Sequence, residues 1–174
     1  RMAQLTPRVP ELVRCLATTP ERFDLVHTTN ITLDFTIIPA LRFARQRGIP
    51  HVCTPFVHLG EPGNRKIVRY YSQRHHIEIM RRSTRVVAQT ELERRFLEDR
   101  GVPAEKLRTV GCWIKPETLP GGDGARFRQT HDLRGPIVLS IGAAAYDKGT
   151  MHVIAAMQRL WRAGSDARLV LIAN

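Results

Sequence analysis

The sequence of 174 residues predicts an α/β fold, with parallel sheets carrying helices on both faces. Three observations lead there. Short apolar, β-branched runs alternate with longer patterns of helical period along the chain. The runs are apolar on both sides, as strands buried between two helical layers are. A stretch holding Pro116, Pro120, Gly121, Gly122 and Gly124 interrupts the alternation and has the composition of a linker between domains.

The elements follow in order. Leu12, Val13 and Leu16, after Pro7 and Pro10, mark a helix that ends near Thr19-Pro20. A strand is predicted over 23–28. Residues 34–47 have helical period, with Ile37, Ile38, Leu41 and Ala44 on one side, and Pro39 strains its early turns. Gly48-Ile49-Pro50 stops that helix, and the next strand spans 50–54. A loop rich in turn formers covers 55–63, followed by one long basic helix over 64–83. The strand 84–88 leads to Thr90, which can cap a helix from Glu91 to Asp99, with Glu93 at the third helical position as in a capping box. Arg100-Gly101 ends it, and 107–111 is the last strand of this half. After the linker come a short helix over 123–131, a strand over 136–142, and a helix over 148–163 with Ile154, Met157 and Trp161 on one stripe. The strand 167–173 ends the sequence. A chain that stops on a buried strand, roughly 50 residues past the linker, reads as a piece of a longer one, because an α/β domain of ordinary size needs about 100.

Composition narrows the function. With 43% apolar and 25% charged residues the chain is globular, and no run approaches the ~20 apolar residues that span a bilayer. The start, Arg1-Met2-Ala3-Gln4-Leu5, lacks the apolar core of a signal peptide, which predicts a cytoplasmic protein. Cys15, Cys53 and Cys112 are too widely spaced for a disulfide scaffold or a Cys-x-x-Cys zinc site. Their apolar neighbours predict three buried, reduced thiols. The net charge of +11 suits nucleic acid, an anionic membrane surface or a phosphorylated small molecule. Residues 65–85 carry seven basic side chains and one acid, Glu78, so over half of the excess sits there. Such a helix is either a solvated face or one that meets phospholipid headgroups at the inner face of a membrane. Arg65, Arg69, Ser72, His76 and Ser83 share one side of it at helical spacing.

Two loops stand out as sites. The first runs Ser140-Ile141-Gly142-Ala143-Ala144-Ala145-Tyr146-Asp147-Lys148-Gly149, after a strand and before a helix. Such a loop lies at the carboxyl edge of a parallel sheet, where open α/β folds bind ligands. Gly142 permits a sharp turn and close approach, and the following helix aims its N-terminal amides at the same place, which suits a phosphate. Lys148 at that helix start is electrostatically misplaced unless it serves an anion; an ordinary βα loop with an exposed lysine is the plain alternative. Neither a Walker loop nor Gly-x-Gly-x-x-Gly is present, which argues against nucleotide hydrolysis and ordinary NAD binding. The second loop, Thr54-Pro55-Phe56-Val57-His58-Leu59-Gly60, places His58 where it could touch substrate or share a proton, or serve only as polar surface. His75-His76 does not form a metal pair at helical spacing, because adjacent residues point in different directions, and no metal site is expected.

Five segments in succession carry a resemblance: Asp24-Leu25-Val26-His27, Arg47-Gly48-Ile49-Pro50, Thr84-Arg85-Val86-Val87-Ala88-Gln89-Thr90-Glu91, Arg100-Gly101-Val102-Pro103, and Gly142 with Asp147-Lys148-Gly149. From about residue 9 onward the chain resembles the retaining glycosyltransferases of family 4, the glycosyl transferases group 1, which have the GT-B fold. The resemblance implies two Rossmann-like domains facing across a cleft. Residues 1–115 would be the later part of the acceptor-binding domain, 116–134 a linker and short helix, and 135–174 the start of the domain that binds a nucleotide-diphospho-sugar. It implies a sugar or lipid-linked acceptor, transfer with retention, and no cofactor, metal or nucleic acid.

In that family the loop aligned with 142–149 carries an Arg and a Lys that neutralise the donor diphosphate. Here the Lys is Lys148, Gly142 and Gly149 frame the loop, and Ala143 stands at the Arg position. His58 lies near a family histidine that helps position the reacting sugar. The family's paired glutamates, eight positions apart, would fall beyond Asn174, so the chain alone is expected to be inactive. Ala143 favours one rival, a non-catalytic sugar-phosphate-binding relative; a nucleotide-sugar epimerase with the same two-domain plan is another. A basic nucleic-acid-binding domain is a third, against which the chain lacks a helix-turn-helix, an aromatic ribonucleoprotein motif and zinc knuckles.

Overall fold

The computed structural model describes residues 8–60, 65–112, 114, 115, 117 and 121–173. The residues Arg1-Met2-Ala3-Gln4-Leu5 and Pro7, the end of the turn-rich loop, and Pro116 and Pro120 of the linker lie outside the described residues. The chain divides into two compact units that meet between residues 113 and 114.

The first unit opens with helix α1 (Pro10–Thr18), which has proline at its first turn, where a missing N–H costs nothing. Strand β1 (Val26–Thr29) leads to helix α2 (Asp34–Arg47), and Pro39 lies inside α2 without ending it. Gly48 closes α2 in the left-handed conformation, φ 68°, returning its N–H to Ala44 and Arg45. Strand β2 (His51–Thr54) follows, then helices α3 (Arg65–Tyr71) and α4 (Arg74–Arg82), strand β3 (Arg85–Ala88), helix α5 (Glu91–Asp99) and strand β4 (Leu107–Thr109). Thr90 caps α5, accepting the Glu93 N–H at 3.1 Å, as the spacing predicts.

The basic segment is therefore two helices, not one. Ser72 Oγ donates to the Val68 carbonyl at 2.6 Å, and Gln73 turns extended at ψ 154° before the chain re-enters a helix. The break re-aims α4, which buries His76, Ile79 and Met80. His76 and Ser83 consequently do not share a solvated face with Arg65 and Arg69, which stay exposed.

The four strands pair in parallel in chain order, β1-β2-β3-β4, with Val26 opposite His51, Val52 opposite Arg85 and Val86 opposite Leu107. Cys53, Val86 and Leu107 point to one face, where Ile37 and Leu41 of α2, Ile79 and Met80 of α4 and Leu97 of α5 close over them. Each such fully buried aliphatic side chain contributes about 1.5–3 kcal/mol. Of the three cysteines only Cys53 is buried, and burial pushes its thiol up to about 12. Cys15 and Cys112 are exposed, contrary to expectation: α1 buries none of its residues, and Cys112 lies past the end of β4.

The second unit contains helix α6 (Gly124–Thr130), capped by Asp123, strand β5 (Ile137–Ile141), helix α7 (Thr150–Arg162) and strand β6 (Arg168–Ile172). Strands β5 and β6 pair in parallel over five residues. Met157 of α7 is buried, while Leu139, Ile141, Leu171 and Ile172 are exposed. Among the described residues this unit holds a two-stranded parallel sheet with the helices α6 and α7.

One buried polar group sets a pH dependence. His51, 2% exposed, donates from Nδ1 to Ser83 Oγ at 2.9 Å, because the hydroxyl hydrogen of Ser83 already serves the Ile79 carbonyl. Its Nε2 then accepts from Thr28 Oγ1 at 3.0 Å, so the ring is neutral with both nitrogens used. Burial, followed by the neighbouring His27, lowers its pKa from 6.5 to about 4. The unfolded chain takes up a proton near pH 6.5 that the folded chain refuses until about pH 4. Stability should therefore be constant above pH 6.5, fall by about 3 kcal/mol as pH drops to 4, and level off below. Urea midpoints measured from pH 7.5 to 4 should show this decline, and His51→Gln should flatten most of it.

Candidate functional site

Because β1 to β4 are parallel, the loops that follow them gather at one edge of the sheet, together with the N-termini of α2, α4 and α5. The loop after β1 is fastened to the end of β2: Asn30 N–H donates to the Thr54 carbonyl at 3.0 Å and Ile31 N–H to Pro55 at 2.9 Å. Asn30 adopts φ 61° and its Oδ1 accepts from the Thr32 hydroxyl at 2.7 Å. In the loop after β2, Phe56 stands at φ 51°, a left-handed conformation that is strained for a bulky side chain.

Glu93 holds this edge together. Its carboxylate, in a residue only 4% exposed, accepts the Val57 N–H at 2.8 Å through one oxygen and the Gln89 N–H at 2.7 Å through the other. The sequence assigns Glu93 the back-bond of a capping box, which would return to Thr90. Instead it reaches one residue further back and across to the β2 loop. The Gln89 side-chain amide, through Nε2, donates to Cys112 Sγ, drawing in the chain after β4. His58, one residue beyond Val57, is exposed, with its ring centroid 5.0 Å from that of Tyr71.

On the same edge Asp34, the first residue of α2, meets the first turn of α4. Asp34 Oδ2 lies 2.7 Å from His75 Nε2 and 3.7 Å from His76 Nε2. The two histidine rings are 4.1 Å apart between centroids. Expecting adjacent side chains to diverge thus fails here: the carboxylate of a second helix stands between them. Burial, then the charge of His75, lowers the pKa of His76, with Asp34 and the Tyr71 carbonyl acting in the opposite sense.

In the second unit, β5 ends at Gly142, φ 145°, whose N–H bonds Ile172 of β6 at 3.0 Å. The chain then makes a 3-10 turn at Tyr146–Lys148 and reaches Gly149, φ 75°, the N-cap of α7. Among the described residues, chain neighbours apart, no atom lies within 4 Å of where a Cβ would stand on either glycine, so both backbones are open to approach there. Among the described residues helix α7 has neither a side-chain cap nor an acid in its first turn, an arrangement in which opening amides can meet solvent or an anion. Lys148 is exposed and precedes the N-cap, rather than standing inside the helix. Ala143 is half-buried, its carbonyl accepting from Thr150 Oγ1 at 3.4 Å. His58 belongs to the first unit and Gly142, Ala143, Lys148 and Gly149 to the second.

Sheets of parallel strands flanked by helices, with loops gathered at the carboxyl edge of each, make an α/β fold that matches part of the GT-B glycosyltransferase fold. Residues 1–113 match the model of the glycosyl transferase 4-like domain, and the chain belongs to that family. Among solved structures it is similar to Anabaena Alr3699/HepE in complex with UDP and glucose, with a TM-score of 0.60 at 12% identity, covering 94% of this chain and 51% of that one. The complex of the same protein with UDP-glucose gives a TM-score of 0.60 at 12% identity, covering all of this chain and 54% of that one. At such identity the likeness is one of fold. The chain spans about half the length of these structures. No curated protein matches it.

The clamp at Glu93 is testable. An amide at this position can accept at one oxygen only, which leaves Val57 or Gln89 N–H facing a like donor. Glu93→Gln should lower stability by about 1–3 kcal/mol in urea unfolding and speed proteolytic cleavage within 55–60, with α5 still formed by circular dichroism.

Proposed function

We propose that this chain is part of a glycosyltransferase that moves a sugar from a nucleotide-diphospho-sugar to a sugar or lipid-linked acceptor, with retention at the anomeric carbon. The observation that carries the reading is the open start of α7, with Gly142 and Gly149 bare and Lys148 beside it. When the bond between sugar and nucleotide diphosphate breaks, negative charge grows on the departing phosphate. Helix amides and an ammonium group fixed at that point stabilise the growing charge without reorganising, and need no metal or cofactor to do so. UDP in the similar Anabaena structures supports a uridine nucleotide as donor. Retention rests on the family resemblance. In this reading the first unit binds acceptor, with His58 at its rim.

A second reading has a specific observation behind it. Ala143 offers only a methyl group where the resembled family places an Arg, a loss of about 2–4 kcal/mol of transition-state stabilisation if nothing replaces it. A protein that binds a sugar nucleotide without turning it over would tolerate that loss.

Turnover and UDP-glucose binding by the full natural chain separate these readings. Lys148→Ala should lower turnover about a hundredfold, on the order of 3 kcal/mol, and change binding less. Ala143→Arg should raise turnover. Saturable binding without turnover in the parent would select the second reading. Unchanged turnover and binding in both variants would remove the phosphate from this loop.

Peripheral membrane contact belongs to the same proposal. Among the described residues no helix is long and apolar enough to cross a membrane. Arg65, Lys66, Arg69, Arg74 and Arg100 surround an open groove of about 850 Å³ that suits phosphate headgroups. Reversing Arg65 and Arg69 to Glu should sharply reduce sedimentation with anionic vesicles at low salt. Undiminished sedimentation would leave these arginines a solvated face.

A further inference from the structure

We propose that Asp34, His75 and His76 form a binding site for a divalent transition-metal ion, with Zn²⁺ the best match to their donor set. Each residue offers one ligand atom, and these atoms all lie within 4.8 Å of one another. Two imidazoles and one carboxylate are the ligands of zinc sites that keep a fourth position open for water or substrate. Mg²⁺ and Ca²⁺ prefer all-oxygen shells and are poorly served by two ring nitrogens.

The distances fit such an ion. Tetrahedral zinc with bonds of about 2.0–2.1 Å sets its ligand atoms roughly 3.3 Å apart. Asp34 Oδ2 stands 2.7 Å from His75 Nε2 and 3.7 Å from His76 Nε2, one shorter and one longer than that spacing. Shifts of well under 1 Å would equalise these two, and the separation of the two histidine ligand atoms stays within 4.8 Å. The backbone does not have to move far, since the carboxylate and both rings already converge.

Protons alone leave the cluster incomplete. A proton on His75 Nε2 satisfies its bond to Asp34. His76 gains nothing from it. Its side chain is 4% exposed, its Nε2 lies beyond hydrogen-bond distance of Asp34, and among the described residues its buried Nδ1 has no partner in good hydrogen-bond geometry, the Tyr71 carbonyl acting on the ring only loosely. A buried imidazole whose Nε2 makes no hydrogen bond costs stability, and a cation at the convergence point would engage that lone pair directly. The start of α4 and the exposed Arg74 next to His75 disfavour positive charge, so binding has to come from direct coordination and the Asp34 carboxylate. That requirement selects a metal with strong affinity for nitrogen over one held by local potential.

The site lies within the first unit and does not depend on the glycosyltransferase reading. The test uses the chain stripped of metal by chelation, then titrated with Zn²⁺ against a chromophoric chelator, and with Co²⁺ followed by absorption. The parent should bind one equivalent and melt at a higher temperature with zinc. Asp34→Asn and His75→Gln should each bind at least about tenfold more weakly and lose the rise in melting temperature, while His131→Gln in the second unit should match the parent. The Co²⁺ complex should show ligand-field bands without thiolate charge transfer, which separates this site from the exposed Cys15 and Cys112. If Asp34→Asn fails to fold, the half-exposed His75 carries the comparison. No stoichiometric binding by the parent, equal binding by parent and the His75 variant, or thiolate bands in the cobalt spectrum would each overturn the proposal.

Discussion

Parallel pairing of four strands in chain order is the constraint from which the first unit follows. Each strand must return to the start of the next, and the returns made by α2, α4 and α5 all pack on the face where Cys53, Val86 and Leu107 lie. Every loop that leaves a strand is then delivered to one edge, whatever its sequence. Loops brought together this way lack ladder partners, and their amides must be satisfied by something else. Glu93 meets that need for Val57 and Gln89 with one buried carboxylate, and the Thr54 and Pro55 carbonyls meet it for Asn30 and Ile31. A charged group is tolerated there because both its oxygens are engaged.

The strands and most helices were legible because their signals are local. Gly48 after α2, Thr90 before α5 and the β-branched runs act within a few residues of themselves, and the observed bounds fall close to those expected. The misplaced helix at 64–83 shows where local reading ends. Its composition is helical throughout, and nothing in the pattern announces that Ser72 will turn to the Val68 carbonyl and Gln73 will extend. The break pays off only in three dimensions, where His76, Ile79 and Met80 reach the core. Burial of Cys53 and exposure of Cys15 and Cys112 likewise depend on which surfaces neighbouring elements cover, and apolar neighbours in sequence do not report that.

The site residues divide along the same line. The strand, glycine, turn and helix start from Gly142 to Lys148 were legible because they are consecutive, and their joint geometry is a local matter. The Asp34 cluster was not, since its partners are 41 residues apart in sequence. An acid at the start of a helix reads as a favourable charge on the dipole, which Asp34 also is. His51 is similar: its two hydroxyl partners, Thr28 and Ser83, lie 23 and 32 residues away, and only the parallel register brings them to the ring.

The two edges differ in what they can hold, and the reason is which atoms converge. In the second unit the groups described at the start of α7 are backbone N–H donors with Lys148 just before them, the arrangement on which the proposed phosphate site rests. In the first unit the same kind of edge also begins with helix N-termini, but the Asp34 carboxylate and the two imidazoles converge over them. A helix N-terminus is therefore not a ligand preference by itself. Its potential is small beside that of a carboxylate a few ångströms away, which can reverse the local sign. One fold plan, used twice in a single chain, thus delivers different groups to its two edges, and the phosphate and metal sites proposed above differ through those groups and not through the plan.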